Sequence, residues 1–88
     1  MNCVRPPCNG VVADDETCRV CGLQQRFNHG RIEVAGPVKV TYFVFPDDER
    51  TIAAERVLIR DHYVTVSPVA SAATVLVRRG DLLDIINS

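Results

Sequence analysis

The chain has 88 residues, 47% of them hydrophobic, with 10 basic and 11 acidic side chains and a formal charge of −1. This balance argues against a nucleic-acid partner, because proteins that bind nucleic acids cluster basic side chains against the phosphates. The N-terminus has no apolar signal region, and no apolar run approaches the ~20 residues of a membrane span, which predicts a cytoplasmic protein without a membrane partner.

The first predicted unit is residues 1–25, which contain all four cysteines. Residues 24–30 are polar, and we interpret them as a connector in which Phe27 packs the first unit against the rest of the chain. Residues 31–88 contain no cysteine and are rich in β-branched residues, which predicts a second, small β domain.

The strongest strand signal is Val38–Phe45, a run of β-branched and aromatic residues between two turn signals, Gly36-Pro37 and Pro46–Glu49. Both faces of this strand are apolar or aromatic. A buried central strand explains that pattern, and so does a strand that contacts a partner protein on one face. Because so small a domain has little core to cover both faces, we predict a partner-binding surface formed by Tyr42, Phe43 and Phe45.

Further along the chain the pattern predicts three more strands, Arg56–Arg60, Tyr63–Val66 and Thr74–Arg78. Residues 50–54 fit either a helical turn or a strand that pairs back across the preceding turn, and the strand is slightly favoured. Apolar residues then recur at helical spacing after Asp81, which predicts a closing helical turn, with a last short strand as the alternative.

The cysteines have the spacing C-x4-C-x9-C-x2-C, at Cys3, Cys8, Cys18 and Cys21. Thiols a few residues apart in tight turns can point at one ion, and zinc takes four such ligands at tetrahedral positions. Gly22 directly follows the last ligand and Gly10 lies two residues after the second, where glycine tolerates a positive φ. The pattern therefore predicts a structural Zn²⁺ held by these four cysteines.

Other interpretations of the cysteines stay open. Two disulfides fit the spacing, although the expected reducing compartment disfavours them. Iron accepts the same tetrahedral sulfur set, so a rubredoxin-like redox carrier is an alternative function. A redox dithiol at Cys18 and Cys21 is disfavoured, because such a pair should open a helix in a βαβ unit.

The segment from Cys3 to Leu23, with Arg5-Pro6 in its first loop and Cys21-Gly22-Leu23 at its end, resembles a known module. Residues 1–24 are similar to the rubredoxin-like zinc ribbon of actinobacterial protein kinase G-type proteins. The resemblance implies a metal-binding accessory module with the four cysteines as ligands, and it implies no kinase activity. Residues 31–88 resemble no family.

No catalytic set is visible. His29 is expected in an exposed loop and His62 at a hairpin tip, and neither has a nucleophile beside it. Five arginines are expected on a solvated outer sheet face, paired with nearby acidic residues: Arg50, Arg56, Arg60, Arg78 and Arg79.

The predicted fold is a small, mostly-β one: an N-terminal four-cysteine zinc ribbon, then an antiparallel β meander of four to five strands with a short C-terminal helical turn. The expected function is a non-enzymatic, zinc-stabilised protein-interaction or assembly module that binds a protein partner or a second copy, without a small-molecule substrate. Nine arginines against one lysine suggest a high-GC genome, such as that of an actinobacterium or of one of its phages, and a phage-encoded protein would lie within a virion. A transcription-type zinc ribbon that contacts nucleic acid is the alternative.

Overall fold

The structure, a computed structural model, describes residues 2–88. It contains six strands: β1 Gln25–Asn28, β2 Arg31–Val44, β3 Asp48–Ile59, β4 Tyr63–Pro68, β5 Val75–Arg78 and β6 Leu82–Asn87. One 3₁₀ turn, Arg79–Asp81, precedes β6, and no helix among the described residues is long and apolar enough to cross a membrane. The mostly-β class and the antiparallel sheet are confirmed: five strands form a meander, and a sixth strand joins the same sheet.

β2 is the centre of the sheet. Strands β1 to β5 are neighbours in chain order and form the predicted meander, while β6 returns to pair with β2. β3 runs along one edge of β2. The other edge is shared by β1, beside residues 31–34, and β6, beside residues 38–42. Residues 50–54, ambiguous in the sequence, lie within β3 and are a strand.

Gly36 and Pro37, predicted as a turn before the strand, lie inside β2 instead. Ala35 is opposite Arg56 and Val38 is opposite Ala54, so β2 has one more residue than β3 over this interval. A bulge tolerates proline, because its residues leave the ladder and the missing N–H is not needed there. The turn prediction was wrong because glycine and proline signal a bulge as well as a turn.

Residues 82–87 form β6, so the predicted closing helical turn is wrong and the alternative, a last short strand, is confirmed. Asp84 is opposite Thr41 while Leu82 is opposite Tyr42, so β6 has one extra residue at this point. The bulge shifts the alternation of side chains, and Leu82 and Ile85 are both buried although they are three residues apart. A bulged strand thus reproduces the apolar spacing of a helix.

The predicted polar connector is also a strand. Phe27 in β1 pairs with Ile32, and Gln25 pairs with Val34. Phe27 is 59% exposed and does not pack two units together, whereas Gln25 is buried at 1% exposure. Phe27 sits on an edge strand, at the rim of the sheet, and this leaves its ring in solvent.

The core is one cluster of buried apolar side chains. It includes Val34 and Val57 from the sheet together with Cys3, Cys18 and Leu23 from the N-terminal residues. The sheet and the cysteine segment therefore share a core. The division into domains of residues 1–25 and 31–88 stays a prediction.

Candidate metal centre

The four predicted ligands are brought together. Their Sγ atoms all lie within 4.8 Å of one another, and all four cysteines are free rather than joined in disulfides. The sulfurs of Cys3 and Cys21 are 3.6 Å apart, and those of Cys8 and Cys18 are 3.7 Å apart. A disulfide needs about 2.05 Å, whereas tetrahedral sulfurs with metal bonds of about 2.3 Å lie about 3.8 Å from each other. The spacing therefore fits one tetrahedral metal ion.

Backbone hydrogen bonds close both ligand loops. The Cys8 N–H donates to Arg5 O at 2.9 Å, and the Gly22 N–H donates to Cys18 O at 3.0 Å. Gly22 has a φ of +75°, as predicted for the residue after the last ligand. These hydrogen bonds fix the backbone of the two turns that carry the ligands.

Position 10 requires glycine because there is no room for a side chain, and not because of its φ. A Cβ at this position would lie 2.6 Å from Cys18 Sγ and 2.8 Å from Val20 Cγ2. Its own N–H donates to Cys8 Sγ at 3.4 Å. Glycine therefore lets the first ligand loop lie directly against the second.

The ligand sulfurs accept hydrogen bonds from N–H groups, among them Gly10 N–H to Cys8 at 3.4 Å, Val20 N–H to Cys18 at 3.4 Å and Gln25 Nε2–H to Cys3 at 3.2 Å. Such donors offset the negative charge that four thiolates place in a small volume. Of these donors, Gly10 and Val20 lie in the ligand loops, and Gln25 lies in β1.

The surroundings separate the pKa values of the thiols. Hydrogen bonds from the backbone N–H groups of Cys21 and Val20 lower the pKa of Cys18 to about 6. Burial raises the pKa of Cys3 to about 12, against the opposing effect of the hydrogen bond from Gln25. Because a metal ion binds thiolates, Cys18 is ready to bind at neutral pH, while Cys3 must release its proton to solvent when the ion binds.

Gln25 is the site residue that sequence reasoning missed. Its Oε1 accepts a hydrogen bond from the Val4 N–H at 2.7 Å, and its Nε2 donates to Cys3 Sγ at 3.2 Å and to Leu23 O at 3.4 Å. One buried amide thus ties the first ligand loop to the residues after the last ligand. Nothing in the cysteine spacing signals this role, because a glutamine in a polar segment is typical of an exposed connector.

Arg5 lies inside the first ligand loop. Its main partner is Asp84 in β6, with Nε donating to Oδ1 at 2.6 Å and Nη2 donating to Oδ2 at 3.3 Å. The hydrogen bond from Arg5 lowers the pKa of Asp84. This two-point contact attaches the ligand loop to the sheet.

The predicted partner residues are not part of the cysteine cluster. Tyr42 and Phe43 are half-buried, and Phe45 is 87% exposed. β6 pairs with β2 only as far as Tyr42, and β4 pairs with β3 only as far as Ala54. Residues 43–49, which we call the hairpin tip, therefore pair only with each other in the described structure.

His29 and His62 are exposed and do not belong to the sulfur cluster. Both line a surface groove with Arg31, Arg60 and Tyr63, residues for which the sequence predicted no shared site. Comparisons of the chain with protein-family models, with curated proteins and with solved structures found no match.

Proposed function

We propose that the chain is a non-enzymatic, zinc-stabilised protein-interaction module that docks on another polypeptide through the hairpin tip. A structural Zn²⁺ holds the N-terminal segment, and the tip supplies the contact. The observation that carries this proposal is the side chain of Phe45, which is 87% exposed at the end of a two-stranded projection.

The donor set supports a structural ion. Zinc has no redox chemistry, and four cysteine sulfurs complete its tetrahedral shell without a position for water or substrate. The resemblance of residues 1–24 to the zinc ribbon of protein kinase G-type proteins agrees with this role. Metal analysis and an absorption spectrum test it: we expect one zinc per chain and a colourless solution. A coloured iron form would favour the rubredoxin-like carrier.

The chemistry of the tip supports a protein partner. Full burial of a phenylalanine side chain is worth about 1.5–3 kcal/mol relative to exposure, so Phe45 is a strong anchor if a pocket receives it. The residues that follow it on the tip, Asp47, Asp48 and Glu49, are exposed acids. An apolar anchor with an acidic rim fits an apolar pocket edged by basic side chains.

A photoreactive phenylalanine analogue at position 45 of the full chain tests the docking in the native host. We expect irradiation to give a discrete cross-linked protein species. The matched control carries the analogue at Val69, which is 59% exposed and follows β4, and we expect no such species from it. Equal cross-linking from both positions, or none from position 45, contradicts the proposed surface.

A further inference from the structure

One face of the sheet turns away from the core across β2, β3 and β4. Val34, Val57 and Val66 lie opposite one another and are fully buried, so they define the inward face. Side chains alternate along a strand, and the next row therefore points outward. That outward row consists of Glu33, Leu58, Thr65 and Leu76.

Two adjoining hollows lie on this outer face, with volumes of about 630 and 270 Å³, and they share Arg31 and Thr65. We call these two adjoining hollows together the arginine groove. Its basic side chains are Arg31, Arg56 and Arg60, its acidic ones are Glu33 and Asp61, and its apolar surface comes from Leu58, Tyr63 and Leu76.

Two arginines of this groove, Arg56 and Arg60, were expected to pair with nearby acidic residues, and among the described residues they do not. In the described part of the chain the ion pairs are Arg5 with Asp84 and Arg26 with Glu16. No carboxylate pairs with the three groove arginines there. Two apolar groups beside them are also open to solvent, with Leu76 at 66% and Tyr63 at 49% exposure. The groove thus offers both positive charge and apolar surface to a ligand.

The hairpin tip carries the complementary chemistry. Phe45 would meet the apolar surface of the groove, and Asp47, Asp48 and Glu49 would meet its arginines. We infer that the arginine groove of one copy receives the hairpin tip of a second copy, so that the chain associates head to tail. This inference rests on the proposed function and names the partner.

Charge favours a second copy over nucleic acid as the occupant. The whole chain has a net charge of −1, and four thiolates on Zn²⁺ would add −4 + 2 = −2. A polyphosphate would therefore meet a protein of net negative charge, which weakens binding. A second copy instead brings its own acidic tip to the basic groove.

Sedimentation velocity of the full chain, loaded with zinc and raised to about 1 mM, tests the inference. We expect the weight-average sedimentation coefficient to rise with protein concentration. Arg60→Glu, which reverses a groove charge, and Phe45→Ser, which removes the anchor, should each weaken self-association by about tenfold or more. Lys39→Glu makes the same charge change at an exposed site outside the groove and should leave self-association within about twofold.

A mixture of the two variants gives the most specific result. Arg60→Glu keeps a working tip and Phe45→Ser keeps a working groove, so an equimolar mixture should form one-to-one dimers and nothing larger. Thermal denaturation of each variant checks that it is folded. If Phe45→Ser prevents association and Arg60→Glu does not, the tip docks elsewhere and the groove assignment is overturned.

Two further outcomes overturn the inference. One is a wild-type chain that stays monomeric at all concentrations, in which case the cross-linking at position 45 still decides the proposed function by itself. The other is a groove that binds a labelled single-stranded oligonucleotide at low salt and loses it in Arg60→Glu, without any self-association. The groove would then be a nucleic-acid site.

Discussion

Arg5 and Asp84, which are 79 positions apart in the chain, meet through two hydrogen bonds, the shorter being 2.6 Å. This contact joins the first ligand loop to β6, and β6 is held by β2. The metal centre is therefore attached to the middle of the sheet rather than only to its neighbouring residues.

Removal of this contact should loosen the metal centre without destroying it. In Arg5→Ala the ligand loop loses its attachment to β6, so we expect faster zinc release to a chromogenic chelator. Arg19→Ala, at an exposed position in the other ligand loop, is the control and should release zinc at the wild-type rate. Identical rates for both variants would mean that the contact does not support the loop.

Metal removal should lower the stability of the whole chain. Because Cys3, Cys18 and Leu23 belong to the same core as Val34 and Val57, the sheet loses part of its packing when the N-terminal segment unfolds. We expect calorimetry to show one transition that moves to lower temperature after chelation. Two separate transitions, with the upper one unaffected by the chelator, would instead support independent domains at residues 1–25 and 31–88.

Gln25→Leu should weaken metal binding although no ligand is changed. The substitution removes the donor to Cys3 Sγ and leaves the Val4 N–H without its acceptor, and loss of such a supporting contact costs about 10–100-fold in metal affinity. A competition titration measures the affinity. Gln24→Leu, at an exposed position, is the control. Equal affinities would show that Gln25 is a packing residue only.

Gly10→Ala should disturb the geometry of the sulfurs. The new Cβ would lie 2.6 Å from Cys18 Sγ, so one ligand loop must move away from the other, and we expect at least about a tenfold loss of metal affinity. Gly80→Ala provides the comparison, because a Cβ there has no neighbour within 4 Å. Wild-type affinity in Gly10→Ala would show that the loops can separate freely.

Metal affinity should rise steeply with pH. The pKa of Cys3 is raised to about 12 by burial. The Gly10 N–H lowers the pKa of Cys8, but burial and the thiols of Cys18 and Cys21 together outweigh it, so this pKa is raised too. Both thiols are protonated in the metal-free chain near neutral pH and must lose protons on binding. The apparent dissociation constant should therefore fall by about 100-fold or more per pH unit between pH 6 and 8. A change of tenfold or less contradicts this.

Local signals predicted the features that depend on a few consecutive residues. Cysteine spacing and a glycine directly after the last ligand are enough to bring four sulfurs together, and β-branched runs are enough to identify β3, β4 and β5. The failures involve residues whose role depends on distant strands. Gln25 is buried only because β1 pairs with β2, and Leu82 and Ile85 share a face only because a bulge lies between them.

The arginine groove is another feature that depends on distant strands and that the sequence did not predict. Arg31, Arg56 and Arg60 are spread over thirty positions of sequence, and only the register of β2 against β3 places them on one face. Composition alone therefore showed that basic and acidic residues are nearly equal in number, whereas the fold brings three of the arginines together on one face of the sheet.

The bulge at Gly36-Pro37 has a consequence for the shape of any assembly. It lies in β2 between Ala35 and Val38, and a second irregularity lies beside it in β3, between Ala54 and Arg56. Adjacent bulges crease a sheet and rotate its two halves. The crease separates the groove from the tip, so it sets the angle through which each added copy would turn. If that angle divides 360° evenly, the copies would close into a ring. Any other angle would wind them into a helical filament.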